Sequence, residues 1–239
     1  MCGRFTSRTE PRVLAAHFDA EEIVAEDRGK RFNVAPTDPV YGVAQSSSGT
    51  RRLGEFRWGL VPFWAEDLSV GARMINARAE TILEKPAFRR PLATRRCIIP
   101  ADGFYEWQAL AGSKTKQPWY IERRDGDVLA FAGVWESWRP DKTGDERVVS
   151  CAVITTAANE AIGRIHDRMP VVLRPDDWNP WLDPTNTDVE DLVSLLVAAP
   201  SALFELTPVG TRVNDVRNDG PELLEPAAPP EPEDHDQLF

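Results

Sequence analysis

Six short segments of this chain carry residues that suit a pleated, half-buried strand. They are residues 57–61, 97–99, 104–108, 119–122, 128–135 and 148–155, rich in Trp, Tyr, Phe, Val and Ile. Between them lie only a few stretches with helical spacing. Residues 12–18 place Val13, Leu14 and Phe18 on one face after Pro11. Residues 77–83, before Pro86, residues 158–165 and residues 189–198 also read as helices. Strand and helix signals do not alternate regularly, so a doubly wound parallel sheet is disfavoured. The pattern predicts an α+β fold: mainly antiparallel strands in a partly closed, barrel-like sheet flanked by helices. No internal repeat is visible.

Charge is unevenly placed. The 239 residues hold 28 Lys plus Arg and 38 Asp plus Glu, a net charge of −10. Such a value argues against a polyanionic partner if it is evenly spread. It is not: residues 219–239 hold seven acids, five prolines and no Lys or Arg. Residues 51–116 hold 12 bases against 7 acids. The chain therefore has a basic centre and an acidic, Pro-rich end that is expected to be disordered. No apolar run approaches the ~20 residues of a membrane span, and MCGRFTSRTE lacks the apolar stretch of a secretory signal. A cytoplasmic location and no membrane partner are expected. Three cysteines, Cys2, Cys97 and Cys151, make no disulfide framework and no zinc-finger spacing. No metal or cofactor is expected, and no GxGxxG, P-loop, HExxH or GxSxG pattern is present.

The chemistry-bearing candidates begin at the terminus. Removal of Met1 before the small Cys2 would leave a 1,2-aminothiol. Its amine, with a reference pKa of ~7.7–8.0, and its thiol, at ~8.5, are both partly available near neutrality. The amine can form a Schiff base with an aldehyde, and the thiol can close a thiazolidine ring. The same residue could instead attack an amide as an N-terminal nucleophile, or be an incidental frayed cysteine. Glu106, between Tyr105 and Trp107, is either a partly desolvated proton shuttle or a solvent-facing strand residue. His166, followed by Asp167, is the best placed of three histidines for acid–base work, or a structural residue capped by Asp167. Asn76 either orients a substrate or caps the following helix. Residues 58–64, WGLVPFW, are core or a surface that stacks unpaired bases.

Six ordered motifs tie these residues together. They are MCGRF at 1–5, NVAPT at 33–37, the aromatic segment at 58–64, NARAET at 76–81, residues 96–107, and HDRMP at 166–170. In this order they resemble the SOS response-associated peptidase (SRAP) family, from Cys2 to about Pro226. The resemblance implies the SRAP fold over residues 1–226, with residues 227–239 as the tail. It implies a sensor of abasic sites in single-stranded DNA that forms a covalent thiazolidine crosslink through Cys2 and so shields the lesion. Weak strand cleavage by Schiff-base lyase chemistry, and peptidase activity on the protein's own amino terminus, are further implied. By motif, Cys2 is the nucleophile, Asn76 holds the amine or sugar, Glu106 assists proton transfer and His166 assists ring opening. Arg4, Arg78 and Arg168 are the implied phosphate contacts, with Pro36, Trp58 and Trp64 near the flanking bases. The protein is expected to act as a monomer, in association with the nucleoid. The final Asp236-Gln237-Leu238-Phe239 is either an ordinary solvated end or a docking motif for a replication sliding clamp.

Overall fold

The computed structural model describes residues 2–110, 112, 115–141 and 146–227. Its thirteen strands are β1 (Phe5–Ser7), β2 (Glu22–Ile23), β3 (Arg31–Val34), β4 (Pro39–Gln45), β5 (Arg51–Trp58), β6 (Asn76–Arg78), β7 (Arg96–Ala101), β8 (Gly103–Ala109), β9 (Lys116–Arg123), β10 (Leu129–Trp138), β11 (Val148–Ala157), β12 (Arg168–Pro170) and β13 (Phe204–Pro208). Five α-helices accompany them: α1 (Pro11–His17), α2 (Pro86–Thr94), α3 (Glu160–Gly163), α4 (Pro175–Leu182) and α5 (Val189–Ser194).

The strands form two sheets. One is antiparallel, in the order β13-β9-β8-β1-β3. The other runs β12-β11-β10-β7-β4-β5-β2. A parallel pairing of β11 with β5, Ser150 opposite Arg57 and Cys151 opposite Trp58, closes five of its strands into a ring. The expected partly closed barrel is thus a closed one, and the mainly antiparallel α+β reading holds. Alternate side chains of the ring strands face opposite ways, as the two-residue period of a strand requires. Ile98, Ala130, Ala132 and Ala152 join the helices in one core cluster. Cys97, Ile99, Phe131 and Cys151 meet Cys2, Phe5, Phe104 and Phe204 in a second cluster, between the two sheets.

Several elements differ from the pattern read along the chain. Residues 77–83 are not a helix: β6 pairs in parallel with β11, Val153 opposite Asn76 and Thr155 opposite Arg78, and a 3-10 turn follows at Ala79–Thr81. The available sheet edge outweighs local helical spacing, and Ala77 is wholly buried there. The strand expected at 57–61 ends at Trp58, because Gly59 turns the chain at φ +128° and packs against the Gly71 backbone, where any Cβ would collide. The helix expected over 189–198 stops at Ser194; the Asp188 side chain caps its start. The disorder expected from residue 219 does not hold over 219–227, where Asp219 accepts from the Asn33 amide at 2.9 Å and Leu223 is buried; residues 228–239, with the clamp-docking motif, lie outside the described residues.

Candidate functional site

Cys2 sits at the seam between the sheets. It is wholly buried and packs in the cluster that holds Phe5, Trp58 and Phe131. Two neighbours position it. On one side the Asn76 side-chain amide donates to the Cys2 carbonyl at 2.8 Å. Asn76 can reach it because β6 is held on β11, so the strand pairing that overrides the helix also builds the site. The Asn76 amide oxygen is buried and accepts no hydrogen bond from the described residues. On the other side β1 pairs with β8, and the Tyr105 amide donates to the Arg4 carbonyl at 2.9 Å. That register brings Glu106 beside the start of the chain.

Glu106 is 1% exposed. Burial pushes its carboxyl up to about 7, and the nearby Asp167 charge acts in the same direction. Burial also pushes the Cys2 thiol far above its ordinary range, with the Glu106 charge adding to the effect. His166 lies in the loop between α3 and β12. Its Nδ1 accepts from the Arg168 amide at 3.0 Å and lies 3.1 Å from Asp167 Oδ1. Desolvation lowers its pKa, with Asp167 opposing. A neutral ring whose Nδ1 accepts carries its proton on Nε2. Gln108, two residues beyond Glu106 on β8, donates to the Arg164 carbonyl at 2.9 Å and ties the His166 loop to that strand.

Two clefts reach neighbours of Cys2. One, of about 590 Å³, is lined by Trp64, Arg73, Asn76, Arg78, Lys85 and Phe88 among others. The other, of about 570 Å³, is lined by Gly3, Arg4, Trp107, Thr115, Lys116 and Asn214. Each combines cationic and aromatic side chains, and each includes a neighbour of Cys2: Asn76, which bonds its carbonyl, in the first and Gly3 in the second. An apolar groove of about 550 Å³ lined by Val172, Leu195, Val197 and Leu203 holds none of the candidate residues.

The implied binding residues are not equivalent. Arg78 is exposed in the first cleft and Trp64 is 52% exposed there. Trp58 is corrected: it is wholly buried, its ring 4.9 Å from that of Phe5 and its Nε1 donating to the Ile75 carbonyl at 3.0 Å. A base cannot stack on a ring that the core already covers, so Trp58 is a packing residue. Arg4 is tied to Asn33 Oδ1 at 2.8 Å and the Val213 carbonyl at 2.9 Å, with its guanidinium 5.8 Å from the Trp107 ring centre. Arg168 is held by both oxygens of Glu80, at 2.7 and 2.9 Å. Pro36 is half-buried next to Thr37, whose φ of +76° turns the backbone. Trp107 ends one of the motifs without an implied role there, and Lys116 and Asn214 lie outside all six. Lys116 belongs to the basic centre, but nothing local marks Asn214 for a cleft wall. Among the described residues no cluster of three or more His, Cys, Asp or Glu could hold a metal ion, and no helix is long and apolar enough to cross a membrane.

Comparison with known proteins identifies the family and the fold. The family model for SOS response associated peptidase (SRAP) matches residues 1–216. The abasic site processing protein YoqW of Bacillus subtilis is 43% identical over 226 residues, 94% of this chain and 99% of that protein. The abasic site processing protein HMCES of Gallus gallus is 36% identical over 204 residues, covering 76% of this chain and 59% of that longer protein. A solved structure from Bacteroides thetaiotaomicron shares the fold, with a TM-score of 0.81 and 24% identity over 95% of this chain and 100% of that one.

Proposed function

The chain belongs to the SOS response associated peptidase family, and from that premise we propose that it captures abasic sites in single-stranded DNA as a covalent thiazolidine crosslink on Cys2. The observation that carries the proposal is the meeting of Cys2, Asn76 and Glu106 beside two clefts lined by cations and aromatic rings. A phosphodiester strand needs such cations along its path, and unpaired bases stack on such rings. A hydrolase of small amides needs neither.

The order of steps follows from the electrostatics. Burial keeps the thiol protonated, so the α-amine exposed by loss of Met1 is the first nucleophile. Glu106, with a carboxyl near 7, lies close to the ~7.7–8.0 of an α-ammonium group, so proton transfer between them is nearly balanced. The carboxylate takes a proton from the ammonium. The free amine then adds to the aldehyde carbon of the ring-opened sugar. His166, with its proton on Nε2, assists ring opening by moving a proton between the sugar oxygens. Loss of water gives the imine. The thiol then adds across the C=N bond, its sulfur bonding to carbon and its proton passing to nitrogen. No oxidant or reductant is needed. The Asn76 amide oxygen, still available as an acceptor, would hold the amine in line. An imine that does not close can lose the 3′ phosphate by elimination, which accounts for weak lyase activity.

Intact-mass measurement after incubation with abasic single-stranded DNA tests the reading. The expected product is protein lacking Met1 plus the oligonucleotide minus one water. A tag left upstream of Cys2 should block it, because an acylated nitrogen cannot form the imine. Unchanged crosslinking by the tagged protein would sink the aminothiol mechanism.

A further inference from the structure

Many cations outside the Cys2 site are neutralised. Arg28, Arg31, Arg52, Arg95, Arg123 and Arg164 each hold a carboxylate. Scattered cations such as Arg12 and Lys30 hold no carboxylate among the described residues, but one face gathers five of them beside the cleft. The side chains of Arg73, Arg78, Lys85, Arg89 and Arg90 form no ion pair or hydrogen bond among the described residues. Arg73, Arg78 and Lys85 line the Trp64 cleft. Arg89 and Arg90 line a second depression, of about 410 Å³, with Glu84, Pro86 and Ala93. Pro86 lines both, so the two adjoin at that residue. The Arg90 guanidinium lies 4.4 Å from the ring centre of Phe63, which joins α2 to the loop that carries Trp64. Phe63 is itself 49% exposed.

Arginines that hold no carboxylate keep their charge available for a phosphate. We infer that the exposed face of α2, through Arg89 and Arg90, continues the binding track beyond the Trp64 cleft and takes the phosphodiester backbone on one side of the lesion. The inference rests on the reading that the cleft itself binds abasic single-stranded DNA. Its occupant is the same strand, because the surface is contiguous with the cleft and its charge is opposite to that of a phosphodiester. The one acid on it, Glu84, is outnumbered by Lys85, Arg89 and Arg90. Arg89 and Arg90 lie four and five residues beyond Lys85, about 6–8 Å further along the helix axis. Recognition there is of backbone charge and carries no base preference.

The test compares crosslinking of abasic strands that differ only in flank length, about 3 or about 15 nucleotides, extended on the 5′ or the 3′ side. Wild type should crosslink the long strand more efficiently than the short one when the extension is on one side and not the other. In Arg89→Ala/Arg90→Ala and in Arg89→Glu/Arg90→Glu, the long-to-short ratio should fall toward one. Loss of two phosphate contacts on a single strand lowers the slope of log affinity against log salt by about 1.4. From 50 to 200 mM salt, the wild type should therefore lose about sevenfold more affinity for the long strand than the alanine variant. Both arginines are exposed, so a melting curve should report an intact fold in the variants. A length advantage that survives in both variants, or one absent from wild type, overturns the inference. In the second case α2 would serve another polyanion, such as an acidic protein segment. Failure of wild type to crosslink even the short strand would instead overturn the reading of the cleft.

Discussion

Two regions of this molecule each bury a cysteine near a glutamate, and only one has the surroundings that the proposed chemistry needs. At the seam, Cys2 and Glu106 are 0% and 1% exposed. On the neighbouring strands β10 and β11, Glu136 and Cys151 are 1% and 0% exposed, with Trp135 opposite Cys151 and Glu136 opposite Ser150. Burial raises the pKa of both thiols. What differs is the company. Glu136 forms an ion pair with Arg95 and accepts from the Ser137 amide at 2.9 Å. Glu106 instead has its carboxyl raised to about 7 by burial. Cys151 is an internal residue, whereas Cys2 follows a removable Met1 and has Asn76 on its carbonyl. Burial alone does not make a reactive cysteine. In the proposed reaction the reactive one has an amine on the same residue and a carboxylate that exchanges its proton near neutral pH.

The contrast can be broken most directly at the cysteines. Cys2→Ala should abolish the covalent adduct. Cys151→Ala should leave the adduct in place and lower stability by about 1–2 kcal/mol, the range of a buried truncation. Intact mass and thermal unfolding read the two effects. A crosslink retained by Cys2→Ala would remove the nucleophile from the proposal.

The glutamates should part in the same way, with a smaller effect. Glu106→Gln should slow crosslinking on the order of 100-fold, the low end for a positioned acid–base group. Wild-type rates should rise through pH 7 as the carboxyl ionises, and in the variant the rise should be displaced toward the ~7.7–8.0 of the amine itself. Glu136→Gln should leave the pH profile alone and destabilise the fold by about 1–3 kcal/mol, since a buried charged hydrogen bond is lost. A pH–rate profile identical in wild type and Glu106→Gln would exclude Glu106 from the mechanism.

Stability should also register the difference. The folded state binds the Glu106 proton more tightly than the unfolded chain, because the raised value of about 7 exceeds the ordinary carboxyl value of about 4.3. This contribution therefore favours folding most below the unfolded value. It declines as pH rises toward 7 and levels off above it, a change on the order of 3 kcal/mol. Denaturant unfolding of wild type and Glu106→Gln between pH 4 and 8 should show the decline in wild type alone.

The smallest effects belong to the proposed phosphate contacts. Arg78→Ala, at an exposed cation with no carboxylate partner, should lower the salt slope by about 0.7. Arg168→Ala should lower it by less, because Glu80 already balances that charge. Equal slopes for wild type and Arg78→Ala would count against Arg78 as a phosphate contact.

The candidate site was only partly legible along the chain. The strand segments could be read because aromatic and β-branched residues mark strands locally. Asn76 read equally as a helix cap, since nothing within a few residues announces the pairing of β6 with β11. Trp58 and Trp64 look alike in sequence, six positions apart. One enters the core and the other the solvent because Gly59 turns the chain between them. Arg4, Trp107 and Asn214 converge on one cleft through contacts that span more than a hundred residues, which no local pattern carries.

By itself, the sequence determined the covalent possibilities: a cysteine behind a removable methionine, six motifs in family order, a basic centre and an acidic end. These are properties of residue identity and order. Tertiary structure alone decided the reactive state of those groups. It buried Glu106 and the Cys2 thiol, left Arg78 unpaired, matched Arg168 to Glu80 and set two clefts beside the neighbours of one residue. Desolvation and ion pairing depend on which distant atoms come within a few ångströms of each other. A linear pattern can nominate such groups, but their protonation and charge are set by the packing that surrounds them.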